Sequence, residues 1–288
     1  MQMQEYAYLS RYRDIPQNWS ARKAARRVAL DALSWLPAGT ERPRVHFLYL
    51  HHVLPDEVEN FRALLGRLAK LHTFISYSEA VQRVQHGSID KPYLAFSIDD
   101  GLKNCLGIAD LLEEHGASAC FFVCPSMADN PSYWEAKQFS ETQLSLPAAE
   151  FLNWRDMEAL INRGHEIGNH TAGHFTLRTL PPTRLEEEIA GAHETIAKQL
   201  GVIKHFAWPR GRFHHMTPQA VATVFRAGHS SCASAERGAH VIAAPEPEAF
   251  CIRREHIVAA WPLRHSLYFV GRSAARAGAE DNRYRWSD

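Results

Sequence analysis

The sequence lacks an excess of charge of either sign. Its 288 residues contain 32 Lys and Arg against 32 Asp and Glu, so the formal net charge is zero. A protein that binds nucleic acid by neutralising phosphates needs a basic excess, because much of its affinity comes from counterion release. A disordered chain combines low hydrophobicity with high net charge, whereas 45% of these residues are hydrophobic. The composition predicts a folded protein with no nucleic-acid partner.

The sequence also lacks an apolar run of the ~18 residues that a transmembrane helix needs. Its first residues do not show the basic and then apolar order of a secretory signal, so we expect a cytoplasmic protein. The five cysteines are odd in number and show no C-x-x-C spacing, which argues against a disulfide framework and a zinc ribbon. We expect Cys120 and Cys124 to be buried thiols on one face of a strand.

Residues 1–44 form a predicted N-terminal extension. Ser20 can cap a helix that runs to about Leu36 and has short apolar side chains on one side. Its other side is basic and carries Arg22, Lys23, Arg26 and Arg27. Such a helix can lie on an anionic membrane surface, which would give the protein a peripheral contact with the inner face of the membrane. We favour the alternative that it docks on the main domain, because Asp31 and the short apolar side chains weaken membrane affinity.

From Val45 onward, short apolar runs alternate with helical patterns. This βαβα alternation indicates an α/β fold with a parallel sheet, and about seven repeats without a G-x-G-x-x-G motif favour a closed or nearly closed β/α barrel. We predict that the barrel occupies residues 45–270 and that residues 271–288 form a tail. Chemistry in such barrels sits at the carboxyl ends of the strands, where the loops meet.

Two adjacent carboxylates stand at the end of one predicted strand, in the motif Ser97-Ile98-Asp99-Asp100-Gly101. Successive side chains there point in opposite directions, so one carboxylate can bind a metal while the other faces a substrate. Gly101 permits a sharp exit from the strand. Two aspartates before a glycine are also ordinary turn residues, and the motif alone does not separate the two interpretations.

A histidine pair stands at the end of another predicted strand, in His170-Thr171-Ala172-Gly173-His174, within a chain that has 17 histidines. Histidines at positions i and i+4 can place both imidazoles on one side of a turn, a spacing that zinc or a similar divalent ion accepts. A carboxylate from another loop would supply a third ligand and leave a position open for water. Two surface histidines on one helix face are the alternative, which loses weight because both motifs fall on the same predicted rim.

These motifs resemble those of the polysaccharide deacetylases, the NodB-homology domain of carbohydrate esterase family 4. The family motif T-F-D-D-G is similar to residues 97–101, and H-[ST]-x-x-H is similar to residues 170–174. The first-strand motif Y-H-x-V resembles residues 50–53, with Leu50 in place of Tyr, and R-x-P-x-G resembles residues 207–211. The resemblance covers about residues 45–260.

The resemblance implies a deformed (β/α)7-type barrel and a metal-dependent hydrolase acting on carbon–nitrogen bonds other than peptide bonds. The enzyme would remove an N-acetyl group from an amino sugar in a surface polysaccharide or its precursor, so its partner would be a glycan or glycolipid. Asp99 would be the catalytic base, while Asp100, His170 and His174 would hold a divalent ion, with zinc favoured. The oligomeric state is left open.

Two features depart from the family pattern. Ala207 stands where the third motif carries an arginine that orients the base, although Arg210 is close enough in sequence to substitute for it. The general acid of the family is a histidine in a late L-x-H motif. We prefer His256, which follows a predicted strand, to His265, which matches the letters but lies in a helical pattern.

Other candidates surround these motifs. We expect Arg210, Trp208 and His51 to contact the substrate or the developing oxyanion. The insertion at residues 125–153 suits sugar binding through its aromatic residues or, alternatively, a small core beneath the loop. Those aromatic residues, with one just after the insertion, are Tyr133, Trp134, Phe139 and Trp154. Two other functions stay open, namely a deformylase or other amidase with the same site, and a catalytically silent glycan-binding or metal-binding domain.

Overall fold

The computed structural model describes residues 29–34, 42–278 and 283–284. Its centre is an eight-stranded sheet. The strands are β1 (Arg44–Leu50), β2 (Thr73–Phe74), β3 (Pro92–Ile98), β4 (Ala119–Val123), β5 (Glu166–Asn169), β6 (His205–Ala207), β7 (Ser231–Ala233) and β8 (Glu255–His256). The helices are α1 (Val58–Ala69), α2 (Tyr77–His86), α3 (Cys105–Glu113), α4 (Tyr133–Phe139), α5 (Trp154–Asn162), α6 (Pro182–Glu186), α7 (Ala192–Leu200), α8 (Pro218–Arg226) and α9 (Leu263–Arg276). None of the helices described has the length and apolarity needed to cross a membrane.

The sheet curls into the deformed barrel that the sequence predicted. Its strands run in the order β7-β6-β5-β4-β3-β1-β8, with β2 paired to β3 outside this path, and every pairing between strands is parallel. The segment that leads into β8 meets both edges, because Ile252 pairs with β7 while Glu255 and His256 pair with β1. The loops after all these strands therefore gather at one end of the barrel.

Alternating side chains divide the strands between two hydrophobic layers. Val45 and Phe47 of β1 pack inside the barrel with Ala95 of β3, whereas Leu48 and Phe96 pack in the layer that the helices cover. This is the two-residue period of a strand whose faces are both buried. Because Asp99 continues the odd-numbered series of β3, its side chain points into the barrel.

Both predicted core cysteines are buried, but they do not share one layer. Cys120 packs inside the barrel with Phe122, and Cys124 packs in the outer layer. β4 ends at Val123, so the strand alternation does not extend to Cys124. The expectation that both thiols lie on one strand face is therefore wrong.

Some elements were not predicted from the sequence. β7 has three residues, too few for a periodic pattern, and α4 lies inside the insertion. Phe139 of α4 packs edge to face on Phe151 with ring centroids 5.4 Å apart, as in the core alternative for the insertion, while Trp134 is exposed. The domain boundaries at residues 44 and 270 stay predictions; β1 begins at Arg44 and α9 continues past residue 270.

The described part of the predicted N-terminal helix contacts α9. Asp31 accepts a 2.8 Å hydrogen bond from Nε2 of His265 and forms an ion pair with Arg264. These contacts agree with docking of residues 29–34 on the barrel. The four basic residues predicted for this helix lie outside the described residues, so the membrane contact stays a prediction.

Three buried histidines predict that the fold loses stability in mild acid. Burial lowers the pKa of His72, His229 and His240 to about 4, from an ordinary value of 6.5. Each uses Nε2 as an acceptor in its neutral form, for example from the backbone N–H of Arg253 to His240. Since the unfolded chain takes up these protons first, the stabilisation is complete above pH 6.5 and is lost as pH falls towards 4.

Between pH 7 and pH 5, we expect the free energy of unfolding to fall by about 2 kcal/mol for each of these histidines. This follows from ~1.4 kcal/mol per pKa unit. Urea unfolding at the two pH values measures the loss. His240→Gln keeps an acceptor for Arg253 but removes one titrating group, so it should shrink the difference by about 2 kcal/mol. An unchanged difference in this variant would contradict the assignment.

Candidate active site

A cavity of about 440 Å³ lies at the carboxyl ends of the strands. Its walls come from the residues that end or follow β1, β3, β5, β6, β7 and β8, together with a π turn at Ser140–Leu144. Apart from the alternative acid His265, the candidate catalytic, metal-binding and substrate-binding residues line it: Asp99, Asp100, His170, His174, Arg210, Trp208, His51 and His256. The structure therefore brings together side chains that are far apart in the sequence, from His51 to His256.

Three side chains in this cavity can hold a metal ion. Nε2 of His170 and Nε2 of His174 lie 3.5 Å and 3.3 Å from the same oxygen, Oδ1 of Asp100. All three residues are buried, and a ligand atom of each lies within 4.8 Å of the others. Two imidazole nitrogens and one carboxylate oxygen are a donor set that zinc and other divalent ions accept.

The orientation of His170 is fixed by a hydrogen bond on its far side. Its Nδ1 lies 2.7 Å from the carbonyl oxygen of Ala207, which can only accept, so Nδ1 carries the proton and Nε2 is directed to Asp100. A hydrogen bond of this kind holds the ring of many metal-binding histidines. The residues present thus fit a divalent ion.

The local electrostatics favour a positive charge at this point. Burial raises the pKa of Asp100, but hydrogen bonds with His170 and His174 outweigh burial and hold it well below its usual value. Burial lowers the pKa of His170, yet Asp100 and Asp99 together raise it above its usual value. A proton and a metal ion therefore compete for the same position.

Four residues around the site adopt a strained backbone, and two of them lie in the loop that carries the histidine pair. Asp100, Thr171, His174 and Arg210 are four of the six non-glycine residues with positive φ in the described part of the chain. Such a conformation costs on the order of 1–3 kcal/mol and persists when the surroundings impose it. Asn169 Oδ1 accepts from the backbone N–H of Thr171, whose Oγ1 accepts from that of His174, at 2.9 and 3.0 Å.

Arg254 holds the carboxylate of Asp99. Its Nη1 and Nη2 donate to Oδ1 and Oδ2 at 2.7 and 2.9 Å, and both residues are buried. The guanidinium also donates to the Ser97 hydroxyl and to the Ser234 carbonyl, and it lies over the ring of Tyr49 at 4.5 Å. Burial raises the pKa of Asp99, but Arg254 together with His170 and His51 outweighs burial, so the pKa is lowered and Asp99 is ionised at neutral pH.

The arginine that holds Asp99 is therefore Arg254 and not Arg210, the candidate that the sequence offered for the missing arginine of the third motif. Arg210 lies at the exposed edge of the cavity, where its Nε donates to Oγ1 of Thr176 at 3.1 Å. Sequence reasoning missed Arg254, which comes from the segment leading into β8. The sequence feature that could have identified Arg254 is a pair of arginines inside an apolar run, since a charge in a buried strand needs a partner.

The small residues of the barrel interior leave room for Arg254. Ala95, Ala207 and Ala233 face the interior, and Gly168 has the ring of Phe122 so close that an added Cβ would lie 2.5 Å from it. Arg254 enters this interior from the segment that pairs with β7 and leads into β8.

His256 and His51 lie side by side in the cavity. The His256 ring stacks on Tyr49 with centroids 4.8 Å apart and meets His51 edge on at 5.3 Å. Burial lowers the pKa of His256 to about 3, so its imidazole is neutral at rest. The rival candidate His265 does not line the cavity; it lies on α9 and contacts Asp31.

Trp208 lines the cavity with little exposed surface. Its indole Nε1 donates to the carbonyl of Arg212 at 3.1 Å, and its ring packs near Phe213 and Tyr284. Most of its ring therefore belongs to the core, and only one part can contact a substrate.

Comparison with known proteins agrees with the motifs. The family model described as "Polysaccharide deacetylase" matches residues 86–226. This range includes Asp99, Asp100, His170 and His174 but ends before Arg254. The match confirms the family resemblance and the expected enzyme class, a hydrolase of carbon–nitrogen bonds other than peptide bonds.

Solved structures share the fold at low sequence identity. The Streptococcus pyogenes deacetylase PplD, solved with acetate, superposes with a TM-score of 0.62 and 18% identity, over 79% of this chain and 96% of its own. IcaB from Ammonifex degensii gives 0.60 and 17%, over 79% and 97%. The de-N-acetylase from Aggregatibacter actinomycetemcomitans gives 0.60 and 17%, over 78% and 99%.

We predict that substitutions of Asp99 and Arg254 have strongly coupled effects on the free energy of unfolding. Arg254→Met would leave the Asp99 carboxylate buried without its cation, which costs about 3–5 kcal/mol. Adding Asp99→Asn removes the stranded charge, so the double variant should be more stable than Arg254→Met alone. Chemical unfolding of the two single variants and the double variant measures the coupling, and additive losses would contradict a direct ion pair.

Proposed function

We propose, from the membership of residues 86–226 in the polysaccharide deacetylase family, that this chain removes an N-acetyl group from an amino sugar in a surface glycan or its precursor. The observation that carries the proposal is the ionised Asp99, held by Arg254 in the same cavity as Asp100, His170 and His174. A base for water thus lies beside three ligands for a metal ion. The deacetylase and de-N-acetylase named above, which share the fold, support this reading.

Asp100, His170 and His174 would hold the metal ion. When bound, a divalent ion supplies a Lewis acid that polarises the acyl carbonyl and makes water easier to deprotonate. We assign zinc as the favoured ion because two imidazoles and one carboxylate suit it, although the same donors accept other divalent ions.

Asp99 acts as the general base in this proposal. Its pKa is lowered, so the carboxylate is ready to accept a proton, and each oxygen keeps a lone pair beside its bond to Arg254. It takes a proton from the attacking water while the water oxygen forms a bond to the acyl carbon. Arg210, at the edge of the cavity, offers its backbone N–H and its guanidinium to the oxyanion that forms.

His256 is the proposed acid for the departing amine. Its neutral resting state means that it must take up a proton during turnover, and the negative charge that develops on the substrate favours that uptake. The C–N bond then breaks as the amine nitrogen receives the proton, and acetate leaves. Its contact with His51 places a second imidazole beside this proton.

Two substitutions separate the base from the metal ligands. Asp99→Asn should retain the metal and lose turnover by about 10²-fold or more, because a general base contributes that much. His170→Ala should lose the metal. Metal content by mass spectrometry and acetate release from N-acetylglucosamine oligosaccharides measure the two effects, and formate release from N-formyl analogues tests the deformylase alternative.

Opposite results would overturn these assignments. Full metal content in His170→Ala would exclude that residue as a ligand. Undiminished turnover in Asp99→Asn would exclude it as the base, and a wild-type protein that binds metal or glycan but releases neither acid would favour the catalytically silent domain.

His256 and His265 form a matched pair of buried histidines for testing the acid. His256→Ala should lower kcat by about 10²-fold while metal content stays unchanged, since general acid catalysis is worth 10²–10⁴. His265→Gln, on α9 outside the cavity, should leave kcat unchanged. Equal effects of the two variants would show that His256 acts only through the fold.

A further inference from the structure

A small pocket between α9 and the segments around Gly238 and Arg253 is lined by four arginines, and we call it the arginine pocket. The four are Arg237, Arg253, Arg272 and Arg276. Its volume is about 40 Å³. Since one water-sized group needs ~10–15 Å³ of such space, the pocket has room for roughly three of them. A small oxyanion fits this volume, whereas a sugar ring or an aromatic base does not.

The residues that lead into β8 separate the arginine pocket from the cavity of the candidate active site. Arg254 and His256 line the active-site cavity, whereas Arg253 lines the arginine pocket. Glu255 likewise turns away from the active site and forms an ion pair with Arg237. Successive side chains of an extended segment point in opposite directions, so the arginine pocket lies behind the strand that carries His256. It is therefore a separate site.

Two of the four arginines are held by groups of the pocket wall. The buried carboxylate of Glu255 pairs with Arg237 and accepts a hydrogen bond from the hydroxyl of Ser273. The guanidinium of Arg237 also lies over the ring of Phe269, 4.3 Å from its centroid. Arg253 is buried and donates from Nη1 to the carbonyl oxygen of Arg237 at 3.2 Å. Glu255 is thus engaged by the wall and does not neutralise the arginines of α9.

The two arginines of α9 lack such partners. In the part of the chain that the structure describes, neither Arg272 nor Arg276 forms a hydrogen bond or an ion pair. They are four residues apart, so they share one helix face and repel each other. The end of a helix attracts cations with about half a negative charge, but Arg42 already donates to the Ala277 carbonyl there at 2.8 Å. An excess of more than one positive charge therefore remains at the pocket.

A phosphate group matches this excess in charge, size and geometry. A phosphate monoester carries about one and a half to two negative charges at pH 7. A guanidinium presents its N–H donors in a planar fork that suits two phosphate oxygens at once. A chloride ion or a carboxylate carries a single charge, so it would leave part of the excess uncompensated.

We propose that the arginine pocket binds a phosphate group, as inorganic phosphate or as the monoester headgroup of an acidic lipid. Arg272 and Arg276 bind the oxygens from α9, while Arg253 and Arg237 form the wall behind them. The small volume admits only the phosphate, so the rest of a larger ligand stays outside. This site lies behind β8, and its occupation does not depend on the proposed deacetylase function.

Removal of the two α9 arginines tests the proposal with inorganic phosphate as the probe. Calorimetric titration at constant ionic strength should show saturable binding to the wild-type protein. In Arg272→Gln/Arg276→Gln, we expect the dissociation constant to rise by about tenfold or more, because both forked donors are gone. The matched control, Arg67→Gln/Arg155→Gln, removes two exposed arginines that do not line the pocket and should bind as wild type does.

Two further measurements identify the cause of a loss. Urea unfolding without phosphate should show that the glutamine variant is at least as stable as wild type, since it lacks two charges that repel each other. Arg272→Lys/Arg276→Lys keeps the charges without the fork, so its dissociation constant should lie between the other two. Phosphate bound at the metal ligands would persist in all variants. Equal binding by wild type and the glutamine variant would therefore overturn the assignment of inorganic phosphate to this pocket.

Vesicle binding distinguishes the two sources of phosphate. Co-sedimentation with phosphatidylcholine vesicles, with and without phosphatidic acid, compares wild type with Arg272→Gln/Arg276→Gln. Because the predicted basic N-terminal helix can itself bind anionic vesicles, only the difference between the two proteins counts. A loss of vesicle binding in the variant identifies the lipid headgroup, and a loss confined to inorganic phosphate identifies the free ion. If neither probe separates the variant from wild type, the pocket is not a phosphate site.

Discussion

The site depends on one buried ion pair, between Asp99 and Arg254. Taking two charges out of water costs several kcal/mol per ion, and a bidentate geometry with further hydrogen bonds is what compensates for it. Arg254 meets this condition through Asp99, the Ser97 hydroxyl and the Ser234 carbonyl. The pair links β3 to the segment that enters β8, so the same contact that keeps the base ionised also joins residues 155 positions apart in the sequence.

The small side chains of the barrel interior leave the space that the Arg254 guanidinium occupies. Parallel strands direct alternate side chains inward, and an interior filled by large residues would leave no path for a guanidinium. Ala95, Ala207 and Ala233 provide the space, and the bulk of Phe122 is accommodated opposite Gly168. The small side chains at positions 95, 207 and 233 and the arginine at position 254 therefore belong to one packing arrangement.

The sequence predicts the parts of this structure that follow from local pattern. Alternation of apolar runs and helical periods identifies the barrel, and strand ends followed by Asp99 or His170 identify the rim. Contacts between distant segments have no local signature, so the pairing of Arg254 with Asp99 and the choice between His256 and His265 needed the fold. β7 was not predicted, because a strand of three buried residues shows no periodic pattern. The domain boundaries stay predictions, and the catalytic roles of the site residues are proposals.

The loop at residues 170–174 must hold two metal ligands in a backbone conformation that is itself costly. Thr171 and His174 both have positive φ, and the loop presents both imidazoles to Asp100 in the cavity of the site. The buried carboxylate of Glu188 accepts from the backbone N–H of Gly173 in the centre of this loop, while Asn169 and the Thr171 hydroxyl accept from the residues on either side. Supporting hydrogen bonds of this kind are what a site needs for three ligands to stay within one coordination sphere.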